Sequence, residues 1–128
     1  MKIIFYIFTI YPLRFAFLVL DIVFKVMPVR VLRLVSSFTV TRKNLSIAFT
    51  DLNDRELDCL AKESYKETLK SFYETLYTWS RSYKKIIYQT KRINNRFLFN
   101  TPIKEDGLIV IALHNRSIDF MLRWISSQ

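Results

Sequence analysis

The first 26 residues limit the possible folds more than any other part of the sequence. Residues 3–26 are apolar or aromatic almost throughout, and the interruptions are Thr9, Pro12, Arg14, Asp21 and Lys25. A helix needs about 20 predominantly apolar residues to cross a bilayer, whereas the longest stretch before the first charge is residues 3–13. A plain membrane-spanning helix is therefore disfavoured, and the segment needs another apolar surface to cover it.

The charges within this segment follow a helical spacing. Arg14, Asp21 and Lys25 are seven and four positions apart, so they share one stripe of a 3.6-residue helix whose remaining circumference is apolar. This pattern is typical of a helix lying in a membrane surface, and we predict an anchor or interfacial helix over residues 1–27. A tilted spanning anchor and an ordinary core helix stay open, while a cleaved signal peptide is disfavoured because Arg14 breaks its apolar core.

The charge balance indicates an anionic partner. Twenty Lys and Arg against eleven Asp and Glu give a net charge of +9, which suits a bilayer surface, a lipid headgroup or a nucleic acid. On the positive-inside tendency, the flank after the apolar segment is expected on the cytoplasmic side, because its charges are Lys25, Arg30, Arg33, Arg42 and Lys43. Cys59 is the only cysteine, which excludes an intramolecular disulfide.

The middle of the chain predicts one long helix. Asn53 and Glu56 have the spacing of a capping box, in which each residue accepts a backbone N–H of the other. Apolar residues then recur every three or four positions as far as Trp79, a helical period sustained over about seven turns or about 40 Å. Glu67 and Glu74 lie on another edge of this helix, where a solvated face is favoured over a pair of catalytic carboxylates.

A basic segment follows the long helix. Its six cations, with no acid among them, are Arg81, Lys84, Lys85, Lys91, Arg92 and Arg96. Aromatic residues interleaved with cations can stack on single-stranded nucleic acid and can equally meet anionic lipid headgroups. Because no nucleic-acid motif accompanies the segment and the N-terminus is apolar, we favour lipid and expect no nucleic-acid partner.

The single histidine of the chain lies at a predicted strand-to-helix boundary. Residues 107–113 form a short apolar run typical of a strand buried on both faces, and His114 follows it directly. The spacing after residue 117 favours a helix. Ligands bind at the carboxyl ends of strands in open α/β sheets, and Asp119 can hold one imidazole nitrogen while the other takes a hydroxyl proton. This pattern fits acyl transfer to an alcohol.

Several of these stretches together carry a resemblance to a known family. The chain resembles the bacterial lipid A biosynthesis lauroyl/myristoyl acyltransferases over nearly its whole length, through Pro28-Val-Arg, Arg42-Lys43-Asn44-Leu45-Ser-Ile-Ala-Phe49, Asn53-x-x-Glu56, Glu74-Thr-Leu-Tyr-Thr-Trp79 and Gly107-Leu-Ile-Val-Ile-Ala-Leu-His114-x4-Asp119. The resemblance implies an inner-membrane enzyme that moves a fatty acyl group from acyl carrier protein to a hydroxyl of a lipid A precursor. It makes His114 the general base and Asp119 its orienting acid, and it gives Glu74 and Trp79 a structural role.

The resemblance also sets the expected fold, partners and location. We expect an α/β fold with N-terminal membrane-associated helices, a long helix and the first strands of an incomplete sheet. Residues 28–128 would form the N-terminal part of a truncated acyltransferase domain, since family members are well over twice as long, and little activity is expected of the chain alone. The expected partners are the membrane, acyl carrier protein as thioester co-substrate and an anionic glycolipid precursor. The expected location is the cytoplasmic face of the inner membrane. No cofactor and no metal are expected. Arg116 and Arg123 are candidates for binding the substrate's phosphate groups. The alternative is a non-catalytic, small, basic membrane-surface protein.

Overall fold

The regular elements of the described chain are helices. The computed structural model describes residues 11–89, 94, 111 and 118–126. Its helices are α1 (Leu13–Val26), α2 (Val29–Leu32), α3 (Ser36–Ala48), α4 (Asp54–Ser80), α5 (Tyr83–Gln89) and α6 (Ile118–Ile125). The chain divides into two compact units, one of residues Ile10–Tyr73 and the other of Met1–Thr9 with Glu74–Gln128, so that α4 contributes to both.

The prediction of an α/β fold is wrong for the part of the chain that the structure describes. Every regular element there is a helix, and no residue of ranges 11–89 and 118–126 is in a strand. The predicted strand, residues 107–113, lies outside the described residues except for Ile111, which is 91% exposed and in no regular element. A buried strand requires neighbours on both faces and at its edges, and an apolar run does not by itself supply them.

The prediction of an N-terminal membrane anchor is also wrong for the described residues. α1 begins after Pro12 and has 14 residues, which at 1.5 Å per residue is about 21 Å, shorter than the hydrocarbon core of a bilayer. Phe24 is buried in a protein core rather than left for lipid. Asp21 of the predicted charged stripe pairs with Lys70 at 2.6 Å and with Lys66 at 3.4 Å. α1 is therefore a helix of the first unit.

None of the helices in the described ranges combines the length and the apolar character needed to cross a membrane.

The core of the first unit joins its four helices. Phe24, Leu32, Phe38 and Ala61 form one buried cluster, and they come from α1, α2, α3 and α4 in turn. Tyr65 packs against this cluster and meets the Phe38 ring edge-on, with ring centroids 5.7 Å apart. Burying aromatic and aliphatic side chains in this way is the main source of stability for such a helical unit.

The long helix α4 and its capping box are confirmed. The side-chain oxygen of Asn53 accepts the N–H groups of Arg55 and Glu56, each at 3.0 Å, and the Asn53 N–H donates to the Glu56 carboxylate at 3.0 Å. These bonds satisfy donors that the first turn of a helix leaves without an internal partner. α4 then runs for 27 residues, which matches the length predicted from the apolar period.

An ion-pair network joins Arg42 of α3, and Arg33 just before that helix, to acidic residues of α4. The Arg42 guanidinium donates to Asp58 and to Asp54, both at 2.6 Å, and Arg33 donates to Asp58 at 2.6 Å. Burial raises the pKa of the Asp58 carboxyl, but the hydrogen bonds from Arg42 and Arg33 outweigh burial and leave that pKa below its ordinary value. The resulting stabilisation is therefore present above the ordinary pKa of an Asp and is lost as the pH falls through the lowered one.

The second unit has a smaller described core. α5 packs against α6, and the buried side chains there include Ile86 of α5 and Trp124 of α6. Tyr77 and Thr78 are buried on the part of α4 that belongs to this unit. The end of α4 and the start of α6 carry the candidate site.

Candidate active site

The candidate site is built around the carboxylate of Asp119. The Thr75 hydroxyl donates to Asp119 Oδ2 at 2.5 Å, and the Trp79 indole N–H donates to Asp119 Oδ1 at 2.7 Å. All three residues belong to the same compact unit. The two donors thus bind different oxygens of one carboxylate across 44 and 40 positions of sequence.

Local helix geometry explains this arrangement. Thr75 and Trp79 are four positions apart on α4, so their side chains lie on the same face, one turn apart. Asp119 lies in the first turn of α6, where the free N–H groups and the helix dipole favour a negative charge. A carboxylate at the start of one helix therefore meets a pair of donors on the face of another.

The Asp119 carboxylate keeps acceptor capacity after these two bonds. An ionised carboxylate has two oxygens with about four lone-pair sites in total, and Thr75 and Trp79 occupy one site on each oxygen. Asp119 is only partly buried. A further donor, such as an imidazole N–H, can be accepted without displacing either bond.

Arg123 stands beside this group. Its guanidinium carbon lies 5.4 Å from the centre of the Trp79 ring, which is cation–π geometry. The Arg123 Nε is buried and has no hydrogen-bond partner within the described residues. Arg123, predicted to bind substrate, therefore lies on the same indole that donates to Asp119.

Two of the predicted site residues lie outside the described residues. They are His114 and Arg116, so the pairing of His114 with Asp119 stays a prediction, and so does a substrate contact by Arg116. The helix predicted after residue 117 is confirmed, since α6 begins at Ile118. The structure thus describes the acid of the predicted pair and the side chains that bind it.

Sequence reasoning missed the role of Thr75 and underrated Trp79. The resemblance gives the motif that contains them a structural role, and the available signal is a hydroxyl and an indole N–H one turn apart on the same helix face. The expected solvated face is also wrong for Glu74, which is only 3% exposed, although Glu67 is partly exposed and accepts a hydrogen bond from Lys70.

The start of the basic segment forms a shallow pocket of about 350 Å³. It is lined by Tyr77, Lys84, Lys85 and Tyr88. The Arg81 guanidinium lies 5.0 Å from the centre of the Tyr77 ring. Cations and phenol rings around an open pocket suit an anionic group, while the other cations of the predicted segment lie outside the described residues.

Metal-binding residues are not clustered in the described ranges. Within residues 11–89, 94, 111 and 118–126, no three His, Cys, Asp or Glu side chains lie close enough together to hold a metal ion.

Comparison with known families gives one finding. A family model described as bacterial lipid A biosynthesis acyltransferase matches residues 6–128. Comparisons with curated proteins and with solved structures give no match. The matched range includes α1 to α6 and every predicted site residue.

Proposed function

The chain belongs to the bacterial lipid A biosynthesis acyltransferase family, and we propose that it transfers a fatty acyl group from acyl carrier protein to a hydroxyl of a lipid A precursor. The observation that carries the proposal is the Asp119 carboxylate, which Thr75 and Trp79 hold five positions after His114. A carboxylate fixed in this way has the acceptor capacity to orient an imidazole base.

In the proposed reaction, His114 acts as the general base. It removes the proton of the acceptor hydroxyl as that oxygen attacks the thioester carbonyl carbon. A carbon–oxygen bond forms, the carbon–sulfur bond breaks, and the proton passes from the imidazole to the leaving thiolate. Asp119 keeps the imidazole oriented and stabilises the imidazolium, and the proton transfer that it supports is worth about 10²–10⁴ in rate.

The phosphate groups of the precursor are assigned to cations near Asp119. Arg123 keeps hydrogen-bond donors for an anion because its described contact is with the face of the Trp79 ring. Planar guanidinium groups bind phosphate oxygens in a bidentate manner. Arg116 is proposed for the same role because it lies two positions after His114.

The experiment that tests this function is an acyl-transfer assay on membranes that contain the chain. The lipid A precursor is the acceptor, and an acyl carrier protein thioester is compared with the coenzyme A thioester of the same fatty acid. We expect transfer to the precursor with a preference for the carrier protein. A precursor whose hydroxyls are already acylated is the control acceptor. Membrane retention without any transfer would contradict the proposal and favour the non-catalytic alternative.

We further propose that the first unit touches the bilayer peripherally, through the outer side of α1. Exposed apolar side chains recur there at helical spacing, and they are Phe15, Leu18, Val19, Ile22 and Val26. Lys25, next to Val26 in the chain, and Arg30, at the start of α2, are exposed and suit anionic headgroups. Arg33 and Arg42, by contrast, are engaged by Asp58 and Asp54. This contact would bring the enzyme to an acceptor that resides in the membrane.

Replacing Ile22 with aspartate is expected to weaken binding to vesicles that contain anionic lipid by about tenfold or more. Burying an isoleucine side chain is worth about 1.5–3 kcal/mol, and about 1.4 kcal/mol corresponds to a tenfold change in binding. Co-sedimentation with vesicles measures the effect. Ile47→Asp, at an exposed position of α3, is the matched control and should bind as the unmodified chain does. Equal loss in both variants would contradict the assignment to α1.

A further inference from the structure

We propose that Thr75 and Trp79 are positioning residues of acyl transfer, which hold the Asp119 carboxylate in the orientation that His114 requires. The inference rests on the proposed function, in which Asp119 orients His114. It adds two residues that do not contact either substrate and that act through Asp119.

Two separate donors restrict the rotation of the Asp119 carboxylate. The terminal torsion of an Asp side chain has a broad, roughly two-fold preference, so an isolated carboxylate samples many orientations. In this chain, separate donors bind its two oxygens, Thr75 at Oδ2 and Trp79 at Oδ1. Because both donors belong to the same helix, α4, the carboxylate plane is fixed relative to that helix.

The donors to Asp119 differ in charge from those that bind other carboxylates of the described chain. Other carboxylates of the described chain are bound by cations, such as Asp58 by Arg33 and Arg42 and Asp21 by Lys66 and Lys70. The donors to Asp119 are a neutral hydroxyl and a neutral indole. Neither of these two donors neutralises the charge of Asp119, which stays available to stabilise an imidazolium. This is the difference expected between a catalytic and a structural carboxylate.

The indole ring of Trp79 is itself supported by a neighbouring side chain. Its ring is half-exposed, so packing alone would leave it free to rotate. The Arg123 guanidinium lies over the indole, and Arg123 is four positions after Asp119 on α6. One helix thus supplies both the acceptor of the indole N–H and a cation on the indole face, which keeps the N–H directed at the carboxylate.

The kinetic test compares variants that remove one donor at a time. Thr75→Val keeps the shape but loses the hydroxyl, Trp79→Phe keeps a ring but loses the N–H, and Thr75→Ser restores a hydroxyl. We expect kcat to fall about tenfold or more in the first two, the size of one lost hydrogen bond to a charged group. KM should stay within about twofold because neither residue binds substrate, and Thr75→Ser should recover most of the lost kcat.

Thr68→Val is the matched control on α4. Its hydroxyl donates to the Ser64 carbonyl at 3.0 Å rather than to Asp119, so the variant should keep the unmodified kcat. Unchanged kcat in Thr75→Val and Trp79→Phe would overturn the inference. An equal loss in Thr75→Ser and Thr75→Val would also overturn it, because that result indicates packing rather than a hydroxyl donor.

A spectroscopic readout separates this inference from the proposed function. The chain has two tryptophans, so its indole N–H groups give two NMR signals, which a Trp124→Phe variant assigns. We expect the Trp79 signal to move in Asp119→Ala, which removes the acceptor of the indole N–H, and an unmoved signal would overturn the inference whatever the activity. The unmodified chain could also fail to transfer acyl groups while the Trp79 signal still moves. That result would contradict the proposed function and the positioning role that rests on it. The hydrogen bond between Trp79 and Asp119 would still be supported.

Discussion

Asp119→Asn is expected to lower the rate of acyl transfer by about 100-fold or more while the protein remains folded. The substitution removes the negative charge that stabilises the imidazolium, and general acid–base catalysis is worth about 10²–10⁴ in rate. The fold should survive because an amide is nearly the same size as a carboxylate. Its oxygen can still accept from Trp79, and its NH₂ group can donate to the Thr75 hydroxyl.

The measurement is the initial rate with carrier-protein thioester and precursor, alongside circular dichroism for helix content. Asp54→Asn is the matched control, because Asp54 is a 91% exposed carboxylate that pairs with Arg42. That variant should transfer acyl groups at the unmodified rate. A rate in Asp119→Asn within about twofold of the control would contradict a catalytic role for this acid.

Phe38→Ala is expected to produce the largest loss of stability, about 3–5 kcal/mol in the free energy of unfolding. Phe38 is 0% exposed and joins α3 to the buried cluster formed with Phe24, Leu32 and Ala61. Alanine would leave a cavity that these neighbours fill only partly. It would also remove the edge-on contact with Tyr65. Urea unfolding followed by circular dichroism measures the difference.

The control for this prediction is Phe72→Ala on α4. Phe72 is 62% exposed, so its truncation should change the free energy of unfolding by about 1 kcal/mol or less. A result in which Phe38→Ala and Phe72→Ala are equally stable would show that the first unit does not depend on the cluster around Phe38.

Local sequence rules were sufficient for α4. Its start depends on Asn53 and Glu56, which interact within one turn, and its length depends on a short-range apolar period. Both signals act over a few residues and do not require knowledge of the rest of the fold. The helix α6 was predictable for the same reason.

The predictions of a strand and of a membrane helix used signals that tertiary structure can override. An apolar run of seven residues is compatible with a strand or with a buried segment of another kind. The apolar residues of α1 belong to two sides of one helix. Phe24 faces a protein core, whereas Ile22 is exposed. The sequence alone cannot show how many sides of such a helix its neighbours cover.

The candidate site was predictable only in part. The acid Asp119 followed from its spacing to His114, a local pattern. Its partners Thr75 and Trp79 are more than 35 positions away in sequence, so their contact depends on how α4 and α6 meet. The ion pairs of Asp21 with Lys66 and Lys70 are long-range in the same sense.

The central claim is that Asp119 accepts a hydrogen bond from the imidazole of His114. His114 is the only histidine of the chain, so its ring N–H protons can be followed by proton NMR without competing signals. A carboxylate-bound imidazole N–H is strongly shifted downfield and protected from solvent exchange, and we predict such a signal in the unmodified protein and its loss in Asp119→Asn. The same imidazole signal in both proteins, or no shifted signal in either, would contradict the account.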